Sequence, residues 1–170
     1  MRGPFPGSYW LSEGQLLAGE YPGHRQEETA REKLKSLLDL GIRTFIDLTE
    51  TIDPLEPYQP LLRDVAAELN LEVRYRRLPI RDRGVPTSEQ MTEILECVRS
   101  EIASGYAVYF HCWGGIGRTG TVACCWLVEE GHDCEAAFER LNVLRGCRPG
   151  YSDSPQTDEQ REFVRAWRRT

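Results

Sequence analysis

Near the middle of the chain, two residues that could hold and attack an oxyanion flank a glycine-rich stretch. Cys112 stands at its start and Arg118 at its end, with Gly114, Gly115 and Gly117 between them. An arginine guanidinium can donate two hydrogen bonds to one phosphate, and a cysteine thiolate is a strong nucleophile. A loop that curls around a tetrahedral anion would therefore aim the sulfur at its central atom.

The residues on either side of this stretch predict a strand before it and a helix after it. Ala107 to Phe110 is a β-branched and aromatic run, and Thr121 to Val128 is apolar on every side. A helix that opens near Arg118 or Thr119 has unpaired N–H groups and the positive end of its dipole at the loop. These groups favour a bound oxyanion, and the same field favours the thiolate form of Cys112.

At these residues the sequence resembles the signature loop of the cysteine-based protein tyrosine phosphatases. His111-Cys112, five residues and Arg118-Thr119-Gly120 match that loop, and the short chain suggests the dual-specificity branch. The resemblance implies that Cys112 is the nucleophile and that Thr119 assists the departure of its sulfur, although Thr119 could simply begin the helix. It implies no metal and no cofactor. The phosphate would be bound by Trp113, Gly114, Gly115, Ile116, Gly117 and Arg118.

Cleavage of a phosphate ester releases an alkoxide or phenoxide, so a proton donor is required nearby. Asp82 is our candidate, because it lies between Pro79 and Pro86 in a segment that resembles the general-acid loop of dual-specificity phosphatases, about thirty residues before the nucleophile. The alternative is a turn-forming aspartate that pairs with the neighbouring arginines. We interpret Asp53 as the start of a turn and give neither it nor Asp47 a catalytic role.

Three further residues receive supporting roles. His111, at the end of a predicted buried strand, is expected to hold the loop by a hydrogen bond. Gln156 and Gln160 resemble the glutamines with which the larger tyrosine phosphatases position the hydrolytic water, although the spacer Tyr151 to Pro155 departs from that pattern. Alternatively, Gln156-Thr157 simply begins a helix.

Composition argues against several classes of function. The net charge of −6 over 170 residues disfavours nucleic acid or an anionic membrane as the main partner, because both attract basic surfaces. There is no apolar window of membrane-spanning length, and the N-terminal segment lacks the apolar core of a signal peptide. The six cysteines show no Cys-x-x-Cys spacing, so reduced thiols are expected rather than disulfides or a zinc site. We therefore expect a cytoplasmic protein.

Helical and strand patterns alternate along the chain with short connections. This alternation predicts one α/β domain over residues 1–170, with a mostly parallel central sheet of about five strands and helices on both faces. At the N-terminus we expect an irregular lead-in over residues 1–14 and a short edge strand at Gln15 to Gly19. Further strands are predicted at Ile42 to Leu48 and Leu71 to Leu78. Ser88 is the predicted N-cap of a helix, and a loop is predicted from Gly146 to Pro155.

The residues and the resemblance together predict a metal-independent phosphomonoester hydrolase that forms a cysteinyl-phosphate. A phosphorylated protein or peptide is the expected substrate, and phosphate, sulfate or vanadate should occupy the loop. Within enzymes, the alternative substrate is an inositol polyphosphate or another small phosphate ester. Outside this chemistry, the alternatives are a phosphate-binding module without turnover and a sulfur-transferring, rhodanese-like protein.

Overall fold

The strands of the protein assemble into one sheet in the computed structural model, which describes residues 3–146 and 153–168. Within these residues the strands are β1 (Tyr9–Ser12), β2 (Leu16–Gly19), β3 (Ile42–Asp47), β4 (Arg74–Arg77) and β5 (Ala107–His111). They lie in the order β1-β2-β5-β3-β4, and all neighbouring pairs are parallel except β1 and β2. The strand that precedes Cys112 therefore lies at the centre of the sheet.

Helices cover both faces of the sheet. They are α1 (Glu27–Asp39), α2 (Gln59–Glu68), α3 (Ser88–Ala103), α4 (Arg118–Glu129), α5 (Cys134–Arg145) and α6 (Asp158–Ala166). Because successive side chains of a strand point to opposite faces, Val108 and Phe110 pack with α3 to α6, whereas Tyr109 packs with α1 and α2. The predicted α/β fold, with a mostly parallel sheet between helices, is confirmed.

Some local boundaries differ from the predictions. The lead-in is not irregular throughout, because Tyr9–Ser12 is the edge strand and Leu16–Gly19 is an inner strand that pairs with both β1 and β5. A four-residue strand whose register shifts between Trp10 and Ser12 is too short to show a period of two in the sequence. The strand predicted over residues 71–78 is regular only at Arg74–Arg77.

The cap of α3 also differs from the prediction, since Thr87 rather than Ser88 is the N-cap. The Thr87 hydroxyl accepts a hydrogen bond from the Gln90 amide, while the Gln90 side chain accepts one from the Thr87 amide. This reciprocal pair satisfies two donors that a helix end leaves unpaired. Of the predicted loop from Gly146 to Pro155, residues 147–152 lie outside the described residues.

The register of the parallel strands aligns their carboxyl ends. Gly19 is opposite His111, His111 is opposite Asp47, and Asp47 is opposite Arg77. The loops that leave these strand ends therefore meet at one edge of the sheet, where open α/β sheets commonly bind ligands.

A buried polar network lies at this edge. Asp47 is fully buried and accepts hydrogen bonds from the Thr49 amide and hydroxyl, from Tyr75 and from Arg77. Burial raises the pKa of Asp47. Nearby His111 and these hydrogen bonds lower it by more, so the pKa lies below its ordinary value. Burial also lowers the pKa of His111, although Asp47 opposes the effect, so its imidazole is neutral at pH 7. Its Nε2 lies 2.7 Å from the Tyr58 hydroxyl.

Replacement of Asp47 should destabilise the fold. Asp47→Ala leaves Arg77 and Tyr75 without their shared acceptor, so we expect the free energy of unfolding to fall by roughly 3 kcal/mol. Urea denaturation of this variant beside Asp39→Ala, which removes an exposed carboxylate at the end of α1, measures the difference. The control should change stability by no more than about 0.5 kcal/mol, and equal losses in both variants would contradict the assignment.

Candidate active site

The loop between β5 and α4 offers a row of free backbone donors. Within the described residues, none of the N–H groups of residues 113–118 donates to a protein acceptor, whereas the Thr121 amide donates to the Gly117 carbonyl and opens the helical pattern. The positive end of the α4 dipole lies at the same place, since the helix begins at Arg118. Consecutive free amides at a helix start bind anions.

Close packing determines the shape of this loop. Gly115 has a φ of +66°, and a Cβ there would lie 2.6 Å from the Gly19 carbonyl carbon, so any other side chain would displace the loop. On one side the Trp113 carbonyl accepts a hydrogen bond from the Tyr21 amide at 2.8 Å. On the other side the Ser154 hydroxyl donates to the Ile116 carbonyl at 2.6 Å. The loop is thus held in its curved form before any ligand arrives.

Arg118 is buried with only part of its guanidinium paired. Its side chain is 1% exposed, and Nη1 donates to Asp53 at 2.7 Å and to the Ile80 carbonyl at 3.2 Å. Nη2 lies 3.0 Å from Asp82 Oδ1, but it is buried and makes no hydrogen bond in the described structure. Burial lowers the pKa of Arg118, but its hydrogen bond to the Asp53 carboxylate and the charge of Cys112 raise it above its ordinary value. The result is a fixed cation with donor capacity to spare.

A cavity of about 350 Å³ joins the residues that the sequence predicted from separate stretches. Cys112, Arg118 and Asp82 line it together with Trp113 and Gln156. Cys112 is buried, whereas the side chain of Asp82 is half exposed at the rim. Two neighbouring cavities, lined by residues 23–25 and 54–57 among others, are as large or larger, but their walls include no cysteine. Of these three cavities among the described residues, the first is the one whose walls combine a cysteine, an arginine and an aspartate.

A comparison with known families assigns this arrangement. Residues 20–132 match the family model Tc-R-P, described as polymorphic toxin system, DSP-PTPase phosphatase. The chain belongs to the dual-specificity-like branch of the cysteine-based protein tyrosine phosphatases. The resemblance found in the sequence is confirmed, and the matched range includes the loop of residues 112–118, which remains our predicted phosphate loop.

Individual relatives share part or most of this sequence. Human cyclin-dependent kinase inhibitor 3 is 32% identical over 171 residues, which cover 94% of this chain and 77% of that protein. An uncharacterized protein of Methanocaldococcus jannaschii is 35% identical over 88 residues, 51% of this chain and 54% of its own length. The chain thus spans about half the length of the first curated relatives that it matches.

A solved structure shares the fold. Kinase associated phosphatase, crystallised with serine in place of its catalytic cysteine, superposes with a TM-score of 0.73. The alignment covers 96% of this chain and 93% of that one at 22% identity, so it shows a common fold. In the described part of the chain, no helix is long and apolar enough to cross a membrane.

The supporting residues of the phosphatase loop occupy different environments. Thr119 is buried, and its hydroxyl donates to the Gly19 carbonyl over a long 3.3 Å. His111 lies behind the loop, with Nδ1 3.3 Å from the Cys112 carbonyl oxygen, so it contacts the backbone of the nucleophile.

The two glutamines also differ from each other. Gln156 lines the cavity, and its carboxamide would lie 3.3 Å from a Cβ at Gly117. Gln160 is fully buried, and both ends of its carboxamide are already engaged with protein groups. The carboxamide of Gln156 is therefore the one that is available to a water molecule in the cavity.

Asp53 is the residue that sequence reasoning missed. Its side chain is 7% exposed, and Oδ2 accepts hydrogen bonds from Arg118 and from the Glu50 amide at 3.0 Å. Asp53 does begin a short turn toward Pro54, but its carboxylate also fixes one edge of the Arg118 guanidinium. The contact joins residues 65 positions apart, and no local pattern in the sequence marks it.

Removal of the Asp53 carboxylate should impair phosphate binding and turnover. Asp53→Ala leaves Nη1 of Arg118 with only the Ile80 carbonyl, and a hydrogen bond between charged groups contributes about 1.5–3 kcal/mol, so kcat/KM should fall by roughly 10- to 100-fold. Asp53→Asn keeps an acceptor oxygen in place and should lose less. Steady-state kinetics with an aryl phosphate measures both, and Asp64→Ala on α2 serves as a control. An Asp53→Ala enzyme with wild-type kcat/KM would contradict this role.

Proposed function

We propose that this protein hydrolyses phosphomonoesters in two steps through a cysteinyl-phosphate, without a metal ion. The single observation that supports this most is the buried, hydrogen-bond-free Nη2 of Arg118, which lies in one cavity with the nucleophile and the free loop amides. Nη2 has an ionic contact with the half-exposed Asp82 but makes no hydrogen bond, and a buried nitrogen of this kind has donor capacity left for a ligand. A tetrahedral phosphate supplies the acceptors that this site lacks.

In the first step the Cys112 sulfur forms a bond to phosphorus while the bond to the ester oxygen breaks. Arg118 and the amides of residues 113–118 hold the non-bridging oxygens, where negative charge develops. The incoming phosphate takes over Nη2 of Arg118, which frees Asp82 from its ionic contact. The released Asp82 carboxylate takes up a proton from solvent at the open rim of the cavity, and the carboxylic acid then donates this proton to the departing oxygen.

In the second step water attacks phosphorus, the bond to sulfur breaks and inorganic phosphate leaves. Asp82 takes the proton of the water as general base. Of the two predicted glutamines, Gln156 places this water, because its carboxamide faces the cavity. The Thr119 hydroxyl leaves its long hydrogen bond to donate to the departing sulfur, and His111 positions the loop through the Cys112 carbonyl.

The substrate that we propose is a phosphorylated side chain of a protein or peptide. The five residues between Cys112 and Arg118 include no lysine that could pair with further phosphates. Trp113, which is 46% exposed at the rim, offers an apolar wall to an aromatic ring. An overall charge of −6 further disfavours a multiply phosphorylated ring. Nucleic acid and membranes are not expected partners.

We propose that the enzyme acts in the cytoplasm. The five cysteines within the described residues are all unpaired, which suits a reducing compartment.

Replacement of the nucleophile tests the mechanism. Cys112→Ser should reduce hydrolysis of an aryl phosphate by at least a thousandfold, because the local field does not ionise a hydroxyl. Vanadate or phosphate binding, measured by calorimetry, should persist, and the melting temperature should stay nearly unchanged. Residual activity above one part in a thousand of wild type, with contamination excluded, would overturn the assignment.

A panel of substrates tests the substrate class. We expect the highest kcat/KM on phosphotyrosyl, phosphoseryl or phosphothreonyl peptides, and lower values on soluble phosphoinositides and on inositol hexakisphosphate. The physical reason is the absence of lysine between Cys112 and Arg118, which leaves additional phosphates unpaired. An inositol phosphate preferred by tenfold or more would overturn the phosphoprotein assignment while leaving the Cys112 mechanism intact.

A further inference from the structure

The loop that carries Asp82, residues 78–87, is called the acid loop and is held in place by contacts from other segments of the chain. It lies between β4 and α3, and three consecutive residues use their backbone groups on side chains of other segments. The Asp82 amide donates to Glu50 at 3.2 Å, the Arg83 carbonyl accepts a long hydrogen bond from Thr157, and the Gly84 carbonyl accepts one from Gln160 Nε2 at 3.0 Å. The position of the acid thus depends on groups far away in the sequence.

The backbone conformation of this loop requires such support. Arg83 has a φ of 60°, in the left-handed region, which costs a residue with a Cβ about 1 kcal/mol or more. A conformation of this kind persists when surrounding contacts determine it. Within the loop, the Gly84 amide donates a turn hydrogen bond to the Arg81 carbonyl. The contacts from outside supply the remaining constraint.

Gln160 is the most buried of these external contacts. Its Oε1 accepts hydrogen bonds from the Gln156 and Thr157 amides at the start of α6, at 3.0 and 3.2 Å. Its carboxamide also lies against the phosphate loop, where a Cβ at Gly117 would be 3.1 Å away. One carboxamide therefore connects α6, the phosphate loop and, through Gly84, the acid loop. The other two side chains that hold the acid loop, Glu50 and Thr157, are less buried than Gln160.

We propose that Gln160 is a positioning residue for the general acid, which sets the location of Asp82 through the Gly84 carbonyl. This inference rests on the proposed function, because it assigns Gln160 to protonation of the leaving group. The two glutamines then serve different half-reactions. Gln160 acts through Asp82 before the phosphoenzyme forms, whereas Gln156 acts on the water that hydrolyses it.

The variant Gln160→Glu separates the acid-loop contact from the helix cap. The new carboxylate still accepts from the Gln156 and Thr157 amides, but it cannot donate to the Gly84 carbonyl and repels it. We expect kcat/KM on phenyl phosphate and phosphotyrosine to fall by tenfold or more. On 2,4-dinitrophenyl phosphate, whose leaving group needs little proton help, it should fall by less than threefold. Asp82→Asn should show the same pattern with larger losses.

The ratio of kcat/KM between the two esters is the decisive readout. An added negative charge near the site, or a smaller folded fraction, lowers both values together and leaves the ratio unchanged. The parameter kcat/KM reports the steps up to loss of the leaving group, so Gln156→Ala should lower kcat without changing the ratio. Gln160→Met removes the donor without adding charge and should show the same change in the ratio. This variant replaces Gln160→Glu in the test if Gln160→Glu does not fold.

The chain offers a matched control in Gln90. This residue occupies the same capping-box position on α3, but it is exposed, and its side chain accepts from the Thr87 amide at the far end of the acid loop rather than contacting Gly84. Gln90→Glu should leave the ratio at its wild-type value. Equal losses on both esters in Gln160→Glu and Gln160→Met would overturn the inference. A wild-type enzyme inactive on every ester would instead overturn the proposed function, and this inference with it.

Discussion

The active site depends on a guanidinium that is buried with one edge paired and one edge free. Removing a charged group from water is costly unless partners replace its hydration. Asp53 and the Ile80 carbonyl satisfy Nη1 of Arg118, which offsets part of that cost. Nη2 has only an ionic contact with the half-exposed Asp82 and makes no hydrogen bond, so its donor capacity stays unused in the folded protein. We propose that a bound phosphate accepts hydrogen bonds from Nη2 and so offsets the remaining cost of burying the Arg118 guanidinium.

This arrangement is possible because the sheet topology gathers loops from distant parts of the sequence. β5 lies between β2 and β3, so the phosphate loop is bordered by the loops that follow both neighbours. The loop after β3 supplies Asp53, and the packing of Gly115 on Gly19 requires a close approach to the end of β2. Asp47 and His111 lie beneath, where hydrogen bonds keep the strand ends in register. A rigid base of this kind lets a short loop hold free amides without collapsing.

The sequence was sufficient to predict features that are local or periodic. The α/β alternation follows from regular apolar spacing, and the phosphate loop from seven consecutive residues whose types suit one ligand. The contact of Asp53 with Arg118 could not be predicted, because Asp-Pro is a common turn pair and the contact depends on how two loops pack. The contacts of Gln160 were equally hidden, since a glutamine three residues after a threonine predicts a helix cap and nothing about Gly84. β1 escaped prediction because four residues with an irregular register carry too little periodic signal.

Two carboxylates contact the same arginine, and their burial divides the roles between them. Asp53 is 7% exposed and makes an aligned hydrogen bond at 2.7 Å, whereas Asp82 is 50% exposed and makes an ionic contact without hydrogen-bond alignment. An exposed ion pair contributes about 0–1 kcal/mol, but breaking a buried one costs roughly 3–5 kcal/mol. An arriving phosphate therefore displaces Asp82 rather than Asp53. In the proposed mechanism the displaced Asp82 carboxylate lies at the open rim, where it can take up a proton from solvent and transfer it to the leaving oxygen.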